Sequence, residues 1–179
     1  LSTTLIKDIP DKQSIIFLPA DHLIEKVSLF NKSIKKNLKN LTSNNIFIFG
    51  IKPMMPSCEF GYFLTKKIKG NINKVLRFIE KPKEVKARQL IKKKGYWNSG
   101  MFFLKKVSIV NNFKKYQPNI YRNCYQSVVK AKYKNNVYYL NKRYFFKTTS
   151  KSFDYAILEK MREINAIKLN IPWSDMGSW

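Results

Sequence analysis

Only eleven acidic residues occur in this 179-residue chain, so their positions carry information. Asp21, Glu80 and Asp175 each fall at or just after the end of a short apolar run, beside a proline, a glycine or a tryptophan. Two aspartates brought together suit a hard divalent cation, which prefers carboxylate oxygens. A glutamate and the amide of Asn98 offer the mixed acceptors and donors that sugar hydroxyls need. Lys81, next to Glu80, suits a phosphate as a compact point charge. Delivered to one cleft by strands of one sheet, this set describes a metal-assisted phosphoryl-type transfer to or from a sugar phosphate. Catalysis of that kind rests on positioning and charge neutralisation. Each piece also has a plainer reading. Asp21 is a favoured helix N-cap, Glu80-Lys81-Pro82 is a surface turn, Asn98-Ser99-Gly100 is a bend, and Trp173 and Trp179 are packing aromatics at a chain end.

These groups need elements to hold them. The run Ser14–Leu18 reads as a strand buried on both faces, closed by Pro19, which has no N–H for a ladder. Asp21 then lies beyond a strand end, where open α/β sheets bind ligands. Val27, Phe30, Ile34, Leu38 and Leu41 recur at helical spacing and predict an amphipathic helix. Ile46–Ile51 is a second apolar run, and strand, helix, strand predicts a parallel pair with a crossover. Phe60–Leu64 and Lys74–Glu80 read as strands of a hairpin turning at Gly70-Asn71. A helix is predicted over Glu84–Lys94, between Pro82 and Gly95. Tyr96–Gly100 leads into a strand over Met101–Leu104. Helices are predicted over 107–116 and 119–134, on either side of Pro118. The aromatic-rich stretch Val137–Phe146 shows no clear period. Ser152 caps a predicted helix Phe153–Glu163, and Ala166–Ile171 is the last strand. With no repeat and no low-complexity linker, residues 1–179 read as a single domain.

Composition narrows the partners. The net charge is +24, which points first to a polyanion. Yet arginine occurs five times, leaving thirty of the 35 basic residues as lysine, and these are scattered along the chain. Base readout and bidentate phosphate grip lean on arginine, so no specific nucleic-acid binding is expected. No apolar run is long enough to cross a bilayer and no signal peptide opens the chain, so no membrane association is expected. Cys58 and Cys124 form neither a disulfide framework nor a metal cluster and read as reduced core thiols of a cytoplasmic protein. The single histidine, His22, excludes a site built from several imidazoles.

Several segments carry a resemblance. Phe17–Ile24 (FLPADHLI), Phe49–Pro53 (FGIKP), Phe60-Gly61-Tyr62, Phe78–Pro82 (FIEKP), Tyr96–Phe102 (YWNSGMF), Ser152–Lys160 (SFDYAILEK) and Trp173–Trp179 (WSDMGSW) resemble, in order, bacterial mannose-1-phosphate guanylyltransferases. WNSGMF and WSDxGSW are specific to that branch, whereas EKP is shared across sugar nucleotidyltransferases. The resemblance implies a Rossmann-like nucleotide-diphospho-sugar transferase fold, with a mixed, mostly parallel sheet and flanking helices. It implies transfer of GMP from GTP to mannose 1-phosphate, giving GDP-mannose and pyrophosphate, with Mg²⁺ as cofactor. By motif position Asp21 and Asp175 resemble the metal carboxylates, Glu80 and Asn98 the sugar-hydroxyl contacts, and Lys81 the sugar-phosphate contact. Gly61 matches the glycine that lets backbone approach the sugar. Asp154 and Tyr155 match a family motif too and read mainly as helix-start residues.

Two departures shape the expectation. The family pattern T-G-Y-G-Y is replaced by Cys58-Glu59-Phe60-Gly61-Tyr62, which puts a carboxylate where a glycine is usual. The family's N-terminal Gly-rich loop, which grips the nucleotide triphosphate, has no counterpart, so the domain is expected to be partial and to lack its first βαβ unit. Ser14–Leu18 would then be an apolar edge that invites pairing with another chain, a homo-oligomer included. Three functional readings stay open: the guanylyltransferase itself, an inactive sugar-phosphate-binding remnant of one, and a basic nucleic-acid-binding domain.

Overall fold

A computed structural model of the chain describes residues 1–6, 9–68 and 72–177. In chain order its elements are β1 (Ser14–Phe17), β2 (His22–Ile24), α1 (Val27–Leu38), β3 (Ile46–Ile51), β4 (Tyr62–Lys67), β5 (Asn73–Ile79), α2 (Glu84–Lys92) and β6 (Tyr96–Lys105). There follow α3 (Lys106–Tyr116), α4 (Pro118–Val129), β7 (Lys132–Lys134), β8 (Val137–Tyr139), α5 (Lys142–Phe145), α6 (Phe153–Ala156), β9 (Ile164–Leu169) and β10 (Trp173–Asp175). They form two compact units, Ser14–Leu104 with Arg162–Trp179, and Leu1–Gln13 with Lys105–Met161. Among the described residues no helix is long and apolar enough to cross a membrane.

The first unit is a six-stranded sheet ordered β1-β6-β3-β9-β5-β4. β3 lies inside it, and every residue of Ile46–Ile51 is buried, as a continuous apolar run demands. Phe47, Phe49, Tyr62 and Phe63 are fully withdrawn from solvent. From α1, Phe30 packs on Phe49 with ring centroids 5.3 Å apart. Only Phe30 and Asn37 of α1 are buried; Val27 and Leu38, placed on its apolar face by spacing, are about half exposed. The helix also stops at Leu38, before Leu41, which is buried beyond its end.

The expected mixed sheet is present, with a smaller parallel share than expected. β3 runs parallel to β9 but antiparallel to β6, and β4 is antiparallel to β5. β1 and β3 are not neighbours, because β6 lies between them. The crossover rule gave strand, helix, strand correctly but could not see a strand arriving fifty residues later to split the pair. β1 stands at one end of the order, an edge position.

β6 is longer than predicted. The turn-forming set Asn98-Ser99-Gly100 belongs to the strand itself. Ile48 pairs with Phe102 and Gly50 with Asn98, so β6 carries two more residues than β3 across this stretch. The excess is a bulge, and Gly100 sits in it at φ 71°, a conformation that suits glycine.

In the second unit α3 and α4 meet at Pro118, which occupies the first turn of α4. The predicted helix over 119–134 ends at Val129, and Lys132–Lys134 pairs with Val137–Tyr139 in a hairpin. Ser152 Oγ accepts from Tyr155 N at 3.4 Å, the expected cap. The capped helix is one turn long, because Ile157 leaves helical geometry at φ −126° and both it and Leu158 are buried. Lys106 is buried yet satisfied: its Nζ donates to Ile9 O at 2.6 Å and lies 3.4 Å from Asp11 Oδ1. Cys124 is a buried free thiol, as expected, whereas Cys58 is exposed. The Gly70-Asn71 turn and Trp179 lie outside the described residues.

Replacing Phe47 by Ala should remove about 3–5 kcal/mol of stability, since a fully buried aromatic leaves a cavity. Urea unfolding should show a lower midpoint with an unchanged slope.

Candidate functional site

β2 and β10 form a short antiparallel ladder of their own, pairing Asp175 with His22, Ser174 with Leu23 and Trp173 with Ile24. Met176 N donates to Asp21 O at 2.8 Å and extends the ladder past its end. Two segments from opposite ends of the chain are thus clamped together, and their carboxylates come with them. One ligand atom each from Asp21, His22 and Asp175 lies within 4.8 Å of the others. Asp21 is not a helix N-cap, since Lys26 occupies that position on α1.

The donor set fits a hard divalent cation: two carboxylates converge, and their mutual repulsion is what a cation relieves. Gly177 supplies the space. A Cβ there would stand 2.6 Å from Asp21 Oδ2 and 3.1 Å from Asp175 Oδ1. Gly177 N donates to Asp175 Oδ1 at 2.9 Å and helps to orient that carboxylate.

Gly61, Glu80 and Asn98 form a second cluster. Asn98 N donates to Gly61 O at 2.7 Å. A Cβ on Gly61 would meet Glu80 Oε2 at 2.5 Å and Asn98 Cβ at 3.5 Å. A side chain at this position would displace the Glu80 carboxylate and crowd the Phe78 ring, so the glycine is what lets these three residues sit together. The Asn98 side chain is buried, and Glu80 Oε2 is withdrawn from solvent. Lys81 follows at φ 41°, left-handed backbone that is costly for a side chain and more so before a proline. The strained turn leaves Lys81 exposed while Pro82 is buried. Neither Glu80 nor Asn98 belongs to a plain surface feature.

β6 and a chain of aromatics join the clusters. Gly100, two residues past Asn98, faces Pro19 and His22, whose atoms would lie 3.6 and 4.0 Å from a Cβ on it. Phe60 packs on Trp97 at 4.9 Å and on Trp173 at 5.6 Å, and Trp173 meets His22 edge-on at 5.1 Å. Trp173 Nε1 donates to His22 Nδ1 at 3.3 Å. Residue type and spacing do not single out His22 as a site residue, although its place beside Asp21 is the available signal. Glu59, the departure from the family pattern, is exposed, with its N–H donating to Ser57 Oγ at 3.1 Å.

Burial pushes the His22 pKa down, and the nearby Asp175 and Asp21 carboxylates only partly offset this. The folded state therefore binds that proton less readily than the unfolded chain. Stability contributed by the neutral ring is present above about pH 6.5 and is lost as pH falls through the lowered folded value. The denaturation midpoint should decline with acidification through this range, and His22→Gln should flatten that part of the profile. Lys81→Gly should relieve the left-handed strain and raise stability by about 1 kcal/mol, read from chemical unfolding.

Known proteins resemble this chain in overall sequence and in fold. The chain matches the family described as Nucleotidyl transferase over residues 2–179. It is 31% identical over 171 residues to a mannose-1-phosphate guanylyltransferase of Escherichia coli, covering 92% of this chain and 37% of that protein. The chain thus spans little more than a third of that relative's length. A solved structure titled mannose-6-phosphate isomerase from Helicobacter pylori superposes with a TM-score of 0.85 at 27% identity, covering 97% of this chain and 68% of that one. A Thermus thermophilus structure titled mannose-1-phosphate geranyltransferase has a TM-score of 0.81 at 22% identity, covering 93% and 48%, and supports the fold alone. With a match running through nearly every residue, on an α/β sheet of the same architecture, the chain belongs to the nucleotidyl transferase family.

Proposed function

We propose that this chain serves the mannose-1-phosphate guanylyltransferase reaction. A phosphate oxygen of mannose 1-phosphate attacks the α-phosphorus of GTP, the α–β phosphoanhydride bond breaks, and pyrophosphate leaves as GDP-mannose forms. The observation that carries the reading is the convergence of Asp21 and Asp175, from opposite ends of the chain, on one spot. Those carboxylates would hold Mg²⁺, which when bound supplies neutralisation of phosphate charge.

The remaining roles fall to the chain's own groups. The Glu80 carboxylate accepts from mannose hydroxyls, and the Asn98 amide both donates and accepts. Gly61 leaves the space that lets the sugar approach backbone. Lys81, exposed on its strained turn, offers its ammonium to the sugar phosphate as a point charge. Preorganised charge and position, rather than covalent chemistry, then lower the barrier. The single family match running through both compact units supports one nucleotidyltransferase domain over 1–179. The choice of GTP and of mannose is supported by the name of the Escherichia coli relative and by the motif order.

Calorimetric titration of mannose 1-phosphate with and without Mg²⁺, paired with a GDP-mannose assay on added GTP, tests this. Mg²⁺-dependent binding is expected, and Asp175→Asn should weaken it and lower turnover about 100-fold or more. Binding without GMP transfer would favour the sugar-phosphate-binding remnant, and absence of Mg²⁺-dependent binding would overturn the proposal.

A further inference from the structure

His22 stands with the two carboxylates as a third potential ligand, but its hydrogen bonding argues for a different part. The Trp173 indole N–H is a donor only, so His22 Nδ1, 3.3 Å away, must accept with its lone pair. A neutral imidazole that accepts at Nδ1 carries its hydrogen on Nε2. A protonated ring nitrogen has no lone pair to give a metal. That Nε2 lies 3.9 Å from Asp21 Oδ1, inside ion-pair range and beyond a direct hydrogen bond.

We propose that His22 is a positioning residue for Asp21 and not a cation ligand, its tautomer fixed by the Trp173 N–H. Strand geometry supports the lock from both sides. His22 stands opposite Asp175 in the ladder, and Trp173 lies two residues before Asp175 on the same face of β10. The indole cannot swing away freely, because Phe60 packs against it and is itself packed on Trp97. The His22 side chain is 8% exposed and that of Asp21 is 53% exposed, so a well-held ring steers a carboxylate that is otherwise loose. Outer-shell groups of this kind orient a ligating oxygen without touching the metal.

The positioning role rests on Asp21 and Asp175 being the cation's ligands; the tautomer itself does not. Because the chain has one histidine, ring-¹⁵N labelling reports on His22 alone. Long-range ¹H–¹⁵N correlation above neutral pH should show a protonated Nε2 and a bare Nδ1, both unchanged by saturating Mg²⁺. Trp173→Phe keeps the ring packing and removes the donor. It should give a mixture of tautomers and weaken Mg²⁺ binding about tenfold. His22→Gln, which restores an N–H toward Asp21, should bind Mg²⁺ better than His22→Phe.

A proton on Nδ1, loss of the Nε2 proton on adding Mg²⁺, or an unaltered tautomer in Trp173→Phe would each overturn the proposal. If Trp173→Phe does not fold, the unmutated chain still decides. The expected tautomer in a chain that binds no Mg²⁺ would leave the lock standing, while removing both the positioning role and the guanylyltransferase reading.

Discussion

Everything at the site depends on a three-residue ladder. β2 and β10 are too short to be stable as an isolated pair, yet they hold two carboxylates together against their own repulsion. What sustains the ladder is its surroundings: the bond from Met176 N to Asp21 O, the indole–imidazole bond, and Trp173 packed on Phe60. The entropy of bringing distant segments together grows only slowly with the length between them. At about 0.6 kcal/mol per doubling, the long separation costs about 3 kcal/mol more than a near neighbour would, and the packed aromatics help to offset it.

The sheet provides the second constraint. β6 touches both halves of the site, with Asn98 beside Gly61 and Glu80, and Gly100 beside Pro19 and His22. Ser99, between them, points the other way and donates its hydroxyl to Phe49 O at 3.0 Å in the core. One strand thus sets the spacing between the Asp21–His22–Asp175 cluster and the Gly61–Glu80–Asn98 cluster, and the core fixes that strand. The charge of +24 plays no visible part in this arrangement. The site's organising groups are carboxylates, glycines and rings, while the lysines largely occupy solvated faces.

Sequence reading reached the parts governed by local rules. Ile46–Ile51 was legible because an unbroken apolar run has few alternatives, and Glu84–Lys92 because proline, acid, base and glycine fell in order. The span Tyr96–Gly100 was misread because Asn-Ser-Gly is ordinary turn chemistry, and only a partner strand reveals that a bulge absorbs it. β2 went unseen for a related reason: three residues carry no period, and their partner lies at the other end of the chain. The convergence of Asp21 and Asp175 was legible by residue type and by motif, whereas His22 beside them was passed over because a single imidazole suggested no multi-histidine site. Its ring is held by Trp173, a contact across 151 positions that spacing cannot show.

The bulge in β6 carries a rule about insertions and deletions. Side chains alternate across a sheet with period two, so shifting a strand by one residue reverses which face each side chain meets. The excess over β3 is two residues, and the core-facing order on both flanks is kept in phase. Losing or gaining a single residue there would turn Trp97 or Phe103 to the wrong side, whereas a change of two would preserve the parity. In related chains, length variation between Asn98 and Phe102 should therefore occur in even steps or not at all.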